Sequence, residues 1–375
     1  MLVKSVNQLL DELAAFEPVS LPVISLYLNT QPDERGRANV EAFVRKEMRS
    51  VAKTYPGGSP ERASVERDTE RIIRYVSKEL RPEANGAAIF ACAAQADFFE
   101  AVQLAAAITE HRLYVYHQPH LYPLARLADQ YRRYAAIVAD TNAARLYVFA
   151  LGATKASETI KGKKTSRASA GGWSQARYQR RGQNAHLSHA KEIVAALDQL
   201  VREEQIDSIL IAGDEVILPL LRQQLPDHLA GKLIDELQLD LSAPEHEVIR
   251  ATFEAMREHD ATSDQAKAQR LLDEYRAGGL AVIGAHDTLV ALTRGQGDEL
   301  LICANIEQFH PDVESVGVVM APLAPGSGPD SPTRQVLMAD ALVTRARQTG
   351  ASITFIEDAA LLAPVGGVGL MLRYR

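Results

Sequence analysis

Val6, Leu9, Leu10, Leu13 and Phe16 recur at helical spacing behind Ser5, a good helix cap, and predict a first amphipathic helix. Val23-Ile24-Ser25-Leu26-Tyr27-Leu28 is a continuous apolar run of strand length and predicts a buried strand. A polar loop with Asp33, Glu34, Arg35 and Arg37 follows, then a helix from about Asn39 to Lys53. Gly57-Gly58-Ser59-Pro60 breaks the pattern, with Ser59 as cap and Pro60 at the first position of a helix reaching about Leu80. Ala87–Cys92, Asp97–Leu104 and Leu113–His117 read as strands. Residues 1–130 thus form an α/β domain with no recognisable chemical motif.

The pattern changes at Tyr134. Ala135–Ala139 and Ala144–Phe149 are two strands joined by the turn residues Asp140-Thr141-Asn142, and a third strand spans about Ala153–Ile160. A helix from about His186 to Glu204 carries the apolar stripe Leu187, Ala190, Ile193, Val194, Leu197, Leu200 and Val201. Ile206–Ile211 is a short strand, Gly213-Asp214 turns into a helix with Leu218, Leu220 and Leu221, and helical pattern returns from Glu245 to Arg257. Asp260-Ala261-Thr262-Ser263-Asp264 marks a boundary, giving a middle α/β domain over 131–260. Residues 261–375 then alternate: helix to Tyr275, strand Leu280–Ile283, helix Asp287–Leu292, strand Glu299–Cys303, helix Arg334–Gln348, strand Ser352–Ile356. A Gly/Pro/Ser/Asp-rich loop spans Pro322–Pro332, and the alternation predicts a three-layer α/β/α sandwich. Neither an internal repeat nor a coiled-coil heptad is present.

Composition narrows the function classes. With 46% hydrophobic and 24% charged residues the 375-residue chain is that of a folded multi-domain protein. No apolar run approaches the roughly 20 residues of a membrane span, and the N-terminus lacks the basic and apolar regions of a secretory signal. Cys92 and Cys303 sit in separate apolar strands and read as buried thiols, so the expected location is the cytoplasm. No Cys/His cluster has metal spacing and no nucleotide-binding glycine pattern occurs, so neither metal nor cofactor is expected.

Charge is the informative quantity. From Lys155 to Arg181 the chain carries eight Lys or Arg against the single acid Glu158, a local charge of +7 in a protein of net charge −7. Such a segment usually faces a polyanion. Lys161, Lys163, Lys164, Arg167, Arg177, Tyr178, Arg180 and Arg181 are the candidate contacts to such a polyanion, which the resemblance given below implies to be RNA. A Gly-Gly pair in a basic polar stretch is also what an ordinary flexible surface loop contains. His186 and His189 lie three apart, a metal-compatible spacing, but without a third ligand they read as solvated or phosphate-facing. His286-Asp287 reads as a helix start and Asp140 as a turn aspartate.

Gly171-Gly172-Trp173-Ser174-Gln175-Ala176-Arg177, between a strand and a long helix, resembles the Gly-Gly-Gln loop of the archaeo-eukaryotic peptide chain release factor superfamily, which includes Pelota. Gly284-Ala285-His286-Asp287-Thr288-Leu289-Val290-Ala291-Leu292 resembles the start of that family's C-terminal domain, and Gly366-Gly367-Val368-Gly369-Leu370-Met371-Leu372-Arg373-Tyr374 its final strand. The likeness runs from about Tyr134 to the end and is to the divergent bacterial branches of the superfamily (bacterial archaeo-eukaryotic release factors, Vms-like type). It implies three domains: an N-terminal α/β domain, a central release-factor-like α/β domain bearing the basic Gly-Gly loop, and a C-terminal sandwich with the fold of ribosomal protein L7Ae. It also implies the ribosome as partner, at the A site and large-subunit rRNA, with peptidyl-tRNA as substrate and a translational GTPase as a possible helper. Two departures stand out. The third motif position is Trp173, with the nearest glutamine at Gln175, and the N-terminal domain lacks the Asn-Ile-Lys-Ser motif that reads stop codons.

The resemblance implies Gly171, Gly172, Trp173 and Gln175 as the catalytic set for peptidyl-tRNA hydrolysis on stalled ribosomes without codon reading. The Trp173 backbone N–H would stabilise the oxyanion and the Gln175 amide would orient water. Two other readings stay open: a non-catalytic factor that occupies the A site of an idle ribosome (hibernation or protection), and a tRNA-directed nuclease, for which the sequence shows no acidic cluster.

Overall fold

The apolar runs become thirteen strands in three sheets in the computed structural model, which describes residues 6–32, 40–150, 153–161, 175–310 and 334–375. The chain divides into two compact units, residues 131–262 and residues 1–130 with 263–375.

In the larger unit the N-terminal elements are α1 (Val6–Ala14), β1 (Val23–Asn29), α2 (Val40–Thr54), α3 (Pro60–Lys78), β2 (Gly86–Cys92), β3 (Phe98–Leu104), β4 (Arg112–Tyr116) and α4 (Tyr122–Gln130). The strands form an antiparallel sheet in the order β3-β2-β1-β4. Ile24, Leu26 and Leu28 on one face of β1 pack with Val44 and Met48 of α2 and Ile72 of α3. Ser59 Oγ accepts from Arg62 N–H at 3.2 Å, with Pro60 beside it at the helix start, as the sequence predicts.

One buried carboxylate in this half is unpaired on one side. Asp68 Oδ2 accepts from Ala93 N–H at 3.0 Å, while Oδ1 and the Ser64 hydroxyl one turn earlier find no partner among the described residues. Burial pushes the Asp68 carboxyl up to about 6, a shift only partly offset by the Ala93 N–H and by Arg71 and Arg67. Its folded-state pKa lies above the ordinary value near 3.9, so the folded state binds the proton more tightly. The contribution of this site to stability is therefore greatest below about pH 4 and is lost as pH rises through 6, about 3 kcal/mol in all. Asp68→Asn keeps an acceptor for Ala93 N–H and supplies an NH₂ donor one turn from the Ser64 hydroxyl. Urea unfolding of this variant is expected to show a gain of about 2 kcal/mol at pH 7.5 and no slope between pH 4 and 6 from this site.

The C-terminal elements of this unit are β10 (Ala281–Ile283), α9 (Ala285–Thr293), β11 (Gly297–Cys303), α10 (Arg334–Thr349), β12 (Ser352–Ile356) and β13 (Val368–Leu372), with strand order β10-β13-β11-β12. Only β11 and β12 run parallel. One face packs on the C-terminal part of α8 (Glu245–Arg276) through Ala268 and Leu271, against Ala281, Leu301, Ile356 and Met371. Gly369 is required there, since a Cβ would stand 2.4 Å from Leu271 Cδ2. Leu292 of α9 and Leu370 lie on the opposite face beside Gly297, giving the α/β/α layering that the helix–strand alternation predicts.

The smaller unit holds β5 (Tyr134–Ala139), β6 (Ala143–Ala150), β7 (Ala153–Lys161), α5 (Gln175–Glu203), β8 (Ile209–Gly213), α6 (Ile217–Gln224), α7 (Asp227–Ala230) and β9 (Leu233–Gln238), with the N-terminal part of α8. Its mixed sheet has the order β7-β6-β5-β8-β9, antiparallel on one side of β5 and parallel on the other. One face buries Ile137, Leu146 and Ile211 under Ile193 and Leu197 of α5, with Leu221 of α6. The other buries Ala136, Tyr147 and Leu210 under Val248 and Met256 of α8. Gly213 ends β8 where a Cβ would come within 2.4 Å of the Ala139 carbonyl oxygen.

Two helix expectations are corrected. The helical patterns expected to end at Arg257 and to resume towards Tyr275 are one helix, α8, continuous over Glu245–Arg276, and the change of compact unit between Thr262 and Ser263 falls within it, in the Asp260–Asp264 run. None of its five residues is a glycine or proline, so the polar run interrupts the apolar pattern without interrupting backbone hydrogen bonding. The helix expected to begin at His186 begins at Gln175. Its first seven residues, Gln-Ala-Arg-Tyr-Gln-Arg-Arg, are mostly strong helix formers, and the single Gly182 costs only about 1 kcal/mol. The elements α4, α7 and β9 were absent from the sequence-based reading.

Candidate nucleic-acid interface

The basic stretch runs from one edge strand of the smaller unit's sheet, β7, to the long helix α5 packed on that sheet. At its start, β7 pairs antiparallel with β6 so that Lys161 stands opposite Ala143. This places the end of β7 beside the β5–β6 turn, whose geometry the Asp140 side chain fixes. Its Oδ1 accepts from Asn142 N–H at 2.7 Å and Ala143 N–H at 2.8 Å, so Asp140 is a turn residue, as expected.

At the other end stands α5, 29 residues and about 43 Å long. Its later turns are held by the core through Ala190, Ile193, Val194, Leu197 and Val201. Anchored in this way, the helix carries Gln175, Arg177, Tyr178, Arg180 and Arg181 in its first two turns. Positions 177, 180 and 181 have the i, i+3, i+4 relation of neighbours on a helix surface. The expectation that these residues belong to the loop is thereby corrected. Lys163, Lys164, Arg167, Gly171, Gly172 and Trp173 lie outside the described residues, so the structure brings together Lys161 only as a strand end and the helical group as a helix start.

The helix start breaks a local electrostatic rule. Helix N-termini present unpaired N–H groups and a positive dipole end, which favour acidic residues. The first turn of α5 contains no acid, and arginines occupy positions 177, 180 and 181. Dipole and side chains thus add charge of one sign, an arrangement that an anion relieves. Several cations elsewhere in the unit are paired with acids. Arg132 pairs with Asp260, Arg133 with Glu204 at 3.2 Å, Arg222 with Glu236 at 2.5 Å, and Lys232 with Asp207 at 3.0 Å. Arg202 and His228 share Asp198, whose carboxyl they hold below the usual range, the His228 hydrogen bond most of all. Within 131–262 the stretch Lys155–Arg181 carries +7 and the remaining residues −8. A unit polarised in this way is oriented by the field of a polyanion, with its basic end leading.

His189 corrects another expectation. It is buried at 3% exposure, and neither ring nitrogen has a hydrogen-bond partner among the described residues. Its place one helical turn before Ile193 and two before Leu197 puts it on the apolar stripe rather than in solvent. His286 and Asp287 are exposed in the first turn of α9, as a helix start. Among the described residues no group of three His, Cys, Asp or Glu side chains is placed to hold a metal, and no helix is long and apolar enough to cross a membrane.

Residues 119–257 match the bacterial archaeo-eukaryotic release factor family 10. Among solved structures, the chain is similar to Pelota in a model of ribosome-bound archaeal Pelota and ABCE1 (13% identity, 100% of this chain and 95% of that chain, TM-score 0.43). It is also similar to S. cerevisiae Dom34, a translation termination-like factor involved in RNA quality control (10% identity, 77% and 79%, TM-score 0.42). A third is the archaeal translation termination factor aRF1 (16% identity, 98% and 97%, TM-score 0.28). No curated protein sequence matches the chain.

Proposed function

We propose, starting from the archaeo-eukaryotic release factor superfamily to which residues 119–257 belong, that the protein is a cytoplasmic, ribosome-associated factor. In this reading it offers the β7–α5 segment to RNA and hydrolyses the ester of peptidyl-tRNA on stalled ribosomes. The observation that carries the reading is the start of α5, an acid-free helix terminus with three arginines directly after the Gly-Gly motif.

The chemistry follows from what that terminus offers. Water adds to the ester carbonyl carbon, which becomes tetrahedral while the carbonyl oxygen becomes an oxyanion. The carbon–oxygen bond to the tRNA ribose then breaks, one proton of the water passes to the departing ribose oxygen, which leaves as a hydroxyl, and the peptide leaves as an acid. A preorganised donor at the oxyanion is worth about 10²–10³ in rate. Backbone N–H groups at Trp173 and in the first turn of α5 supply such donors whatever their side chains. The Gln175 amide both donates and accepts, as orienting a water requires. Arg177, Arg180 and Arg181 hold phosphates, and Tyr178 or Trp173 stacks on a base for about 1–3 kcal/mol. The segment holds no strong general base, so the tRNA and rRNA complete the site.

Trp173 at the third motif position favours a second reading, a non-catalytic factor that fills the A site of an idle ribosome. Peptide release from ribosome–nascent-chain complexes with an empty A site separates the two. Wild-type protein is expected to release labelled peptide, and Gln175→Ala to release it at least 10²-fold more slowly with ribosome affinity unchanged. Tight binding with release by neither protein would establish the A-site occupant and end the hydrolase reading.

A further inference from the structure

The larger unit contains a cavity of about 840 Å³, enclosed by the segment after α1, the end of β4, and the helices α9 and α10. That volume lies in the range of small-molecule sites. Its walls are pinned. Val19 N–H donates to the His117 carbonyl at 3.0 Å, and His117 Nδ1–H donates back to the Val19 carbonyl at 2.9 Å. Gln348 Nε2 donates to the Ala14 carbonyl at 2.6 Å. The segment carrying Phe16 and Val19 is therefore fixed at both ends before any ligand arrives.

The lining is apolar on one part and cationic on another. Leu289, Leu337 and Met338 supply aliphatic surface, and the rings of Phe16, Tyr116 and His117 supply aromatic surface. Arg294, Arg345 and His286 also line the cavity, against one acid, Glu17. Arg345 donates to Gln348 Oε1 at 2.7 Å, and neither arginine pairs with a carboxylate among the described residues. Two exposed arginines without a carboxylate partner among the described residues stand beside this aromatic surface, and the combination favours an anion.

We propose that this cavity binds a small aromatic anion, a planar ring bearing a phosphate or carboxylate, of about mononucleotide size. The ring rests against Phe16 and Tyr116, and Arg294 and Arg345 take the anionic group. The site belongs to the larger unit alone and stands whether or not the β7–α5 segment is hydrolytic.

Titration calorimetry on the full-length chain tests it, with adenosine 5′-monophosphate, uncharged adenosine and 1-naphthoate as probes. At least one of the two anions is expected to bind, and adenosine at least tenfold more weakly than its phosphate if the nucleotide is the binder. Binding of the nucleotide alone assigns a phosphate ligand, and of naphthoate alone an aromatic carboxylate. Arg294→Gln/Arg345→Gln should weaken binding at least tenfold, and Ala341→Trp, which fills the cavity, should abolish it, both with unchanged thermal unfolding. Adenosine binding as tightly as its phosphate, no binding of either anion at millimolar concentration, or unchanged affinity in the folded double variant would each overturn the proposal.

Discussion

Replacing Arg177, Arg180 and Arg181 together by alanine is expected to lower ribosome affinity by about 10²-fold near 0.1 M salt. It should also flatten the dependence of log K on log salt by about 2. Each phosphate neutralised releases condensed counterions, and each contributes roughly 0.7–0.9 to that slope, so three lost contacts predict the change. Alanine is the best helix former, which leaves the start of α5 intact and makes the effect electrostatic rather than structural. The free protein should gain a few tenths of a kcal/mol, because Arg177 in the first turn sits at the wrong end of the helix dipole. Opposite signs in stability and in binding are the mark of a site whose charges are kept for a partner. The triple lysine variant sharpens the result. If phosphates are the targets, lysine restores the slope as a point charge. If the slope stays flat with lysine, the arginines act through bidentate or stacking contacts that an ammonium cannot reproduce. A wild-type slope in the alanine variant would remove these residues from the interface altogether.

What the sequence made legible followed period and punctuation. Strand Ser352–Ile356 is found with the predicted ends, β1 and the helix capped by Ser59 within a residue or two, because a local signal marks each of them. The start of α5 was hidden because its first two turns have no apolar stripe, only polar helix formers, so periodicity begins where the helix meets the core. The same lack of stripe in a polar run concealed the continuity of α8 through Asp260–Asp264. Burial of His189 was legible in principle, since it shares the stripe of Ile193 and Leu197, but a histidine beside a basic loop invites the polar reading. The cationic segment could be read from charge alone, and its place at a strand end and a helix start is what the structure adds. Helix α4 was missed although Pro123 stands in its first turn and Leu121, Leu124, Ala125 and Ala128 recur at helical spacing; what no local signal shows is its cap, which lies 218 positions away.

That cap is Asp340, and Asp340→Ala is expected to cost about 3–5 kcal/mol in urea unfolding at pH 7. Asp340 lies on α10 at 4% exposure, and its Oδ1 accepts from Leu121 N–H and Tyr122 N–H, both at 2.9 Å, at the start of α4. Its Oδ2 bonds His120 Nδ1. His120 is itself held by β1, since its N–H donates to Ser25 Oγ at 2.9 Å and its carbonyl accepts from the Tyr27 hydroxyl at 2.5 Å. Tyr122 in turn donates to the Cys303 carbonyl at 2.5 Å. One carboxylate therefore ties the N-terminal sheet, α4 and the C-terminal sandwich of the larger unit into a single hydrogen-bonded joint. Removing it leaves two backbone donors and a ring nitrogen buried without an acceptor, which costs far more than the net worth of the bonds lost. Asp340→Asn keeps Oδ1 for the two backbone donors and presents a donor to His120. It is expected to cost only about 1–2 kcal/mol, with the imidazole switching tautomer to accept. A His120→Ala/Asp340→Ala cycle should return a coupling above about 1 kcal/mol, since both singles break one network. Additive costs would mean that water replaces the carboxylate without loss, and the two halves of the unit would then owe their association to apolar packing alone.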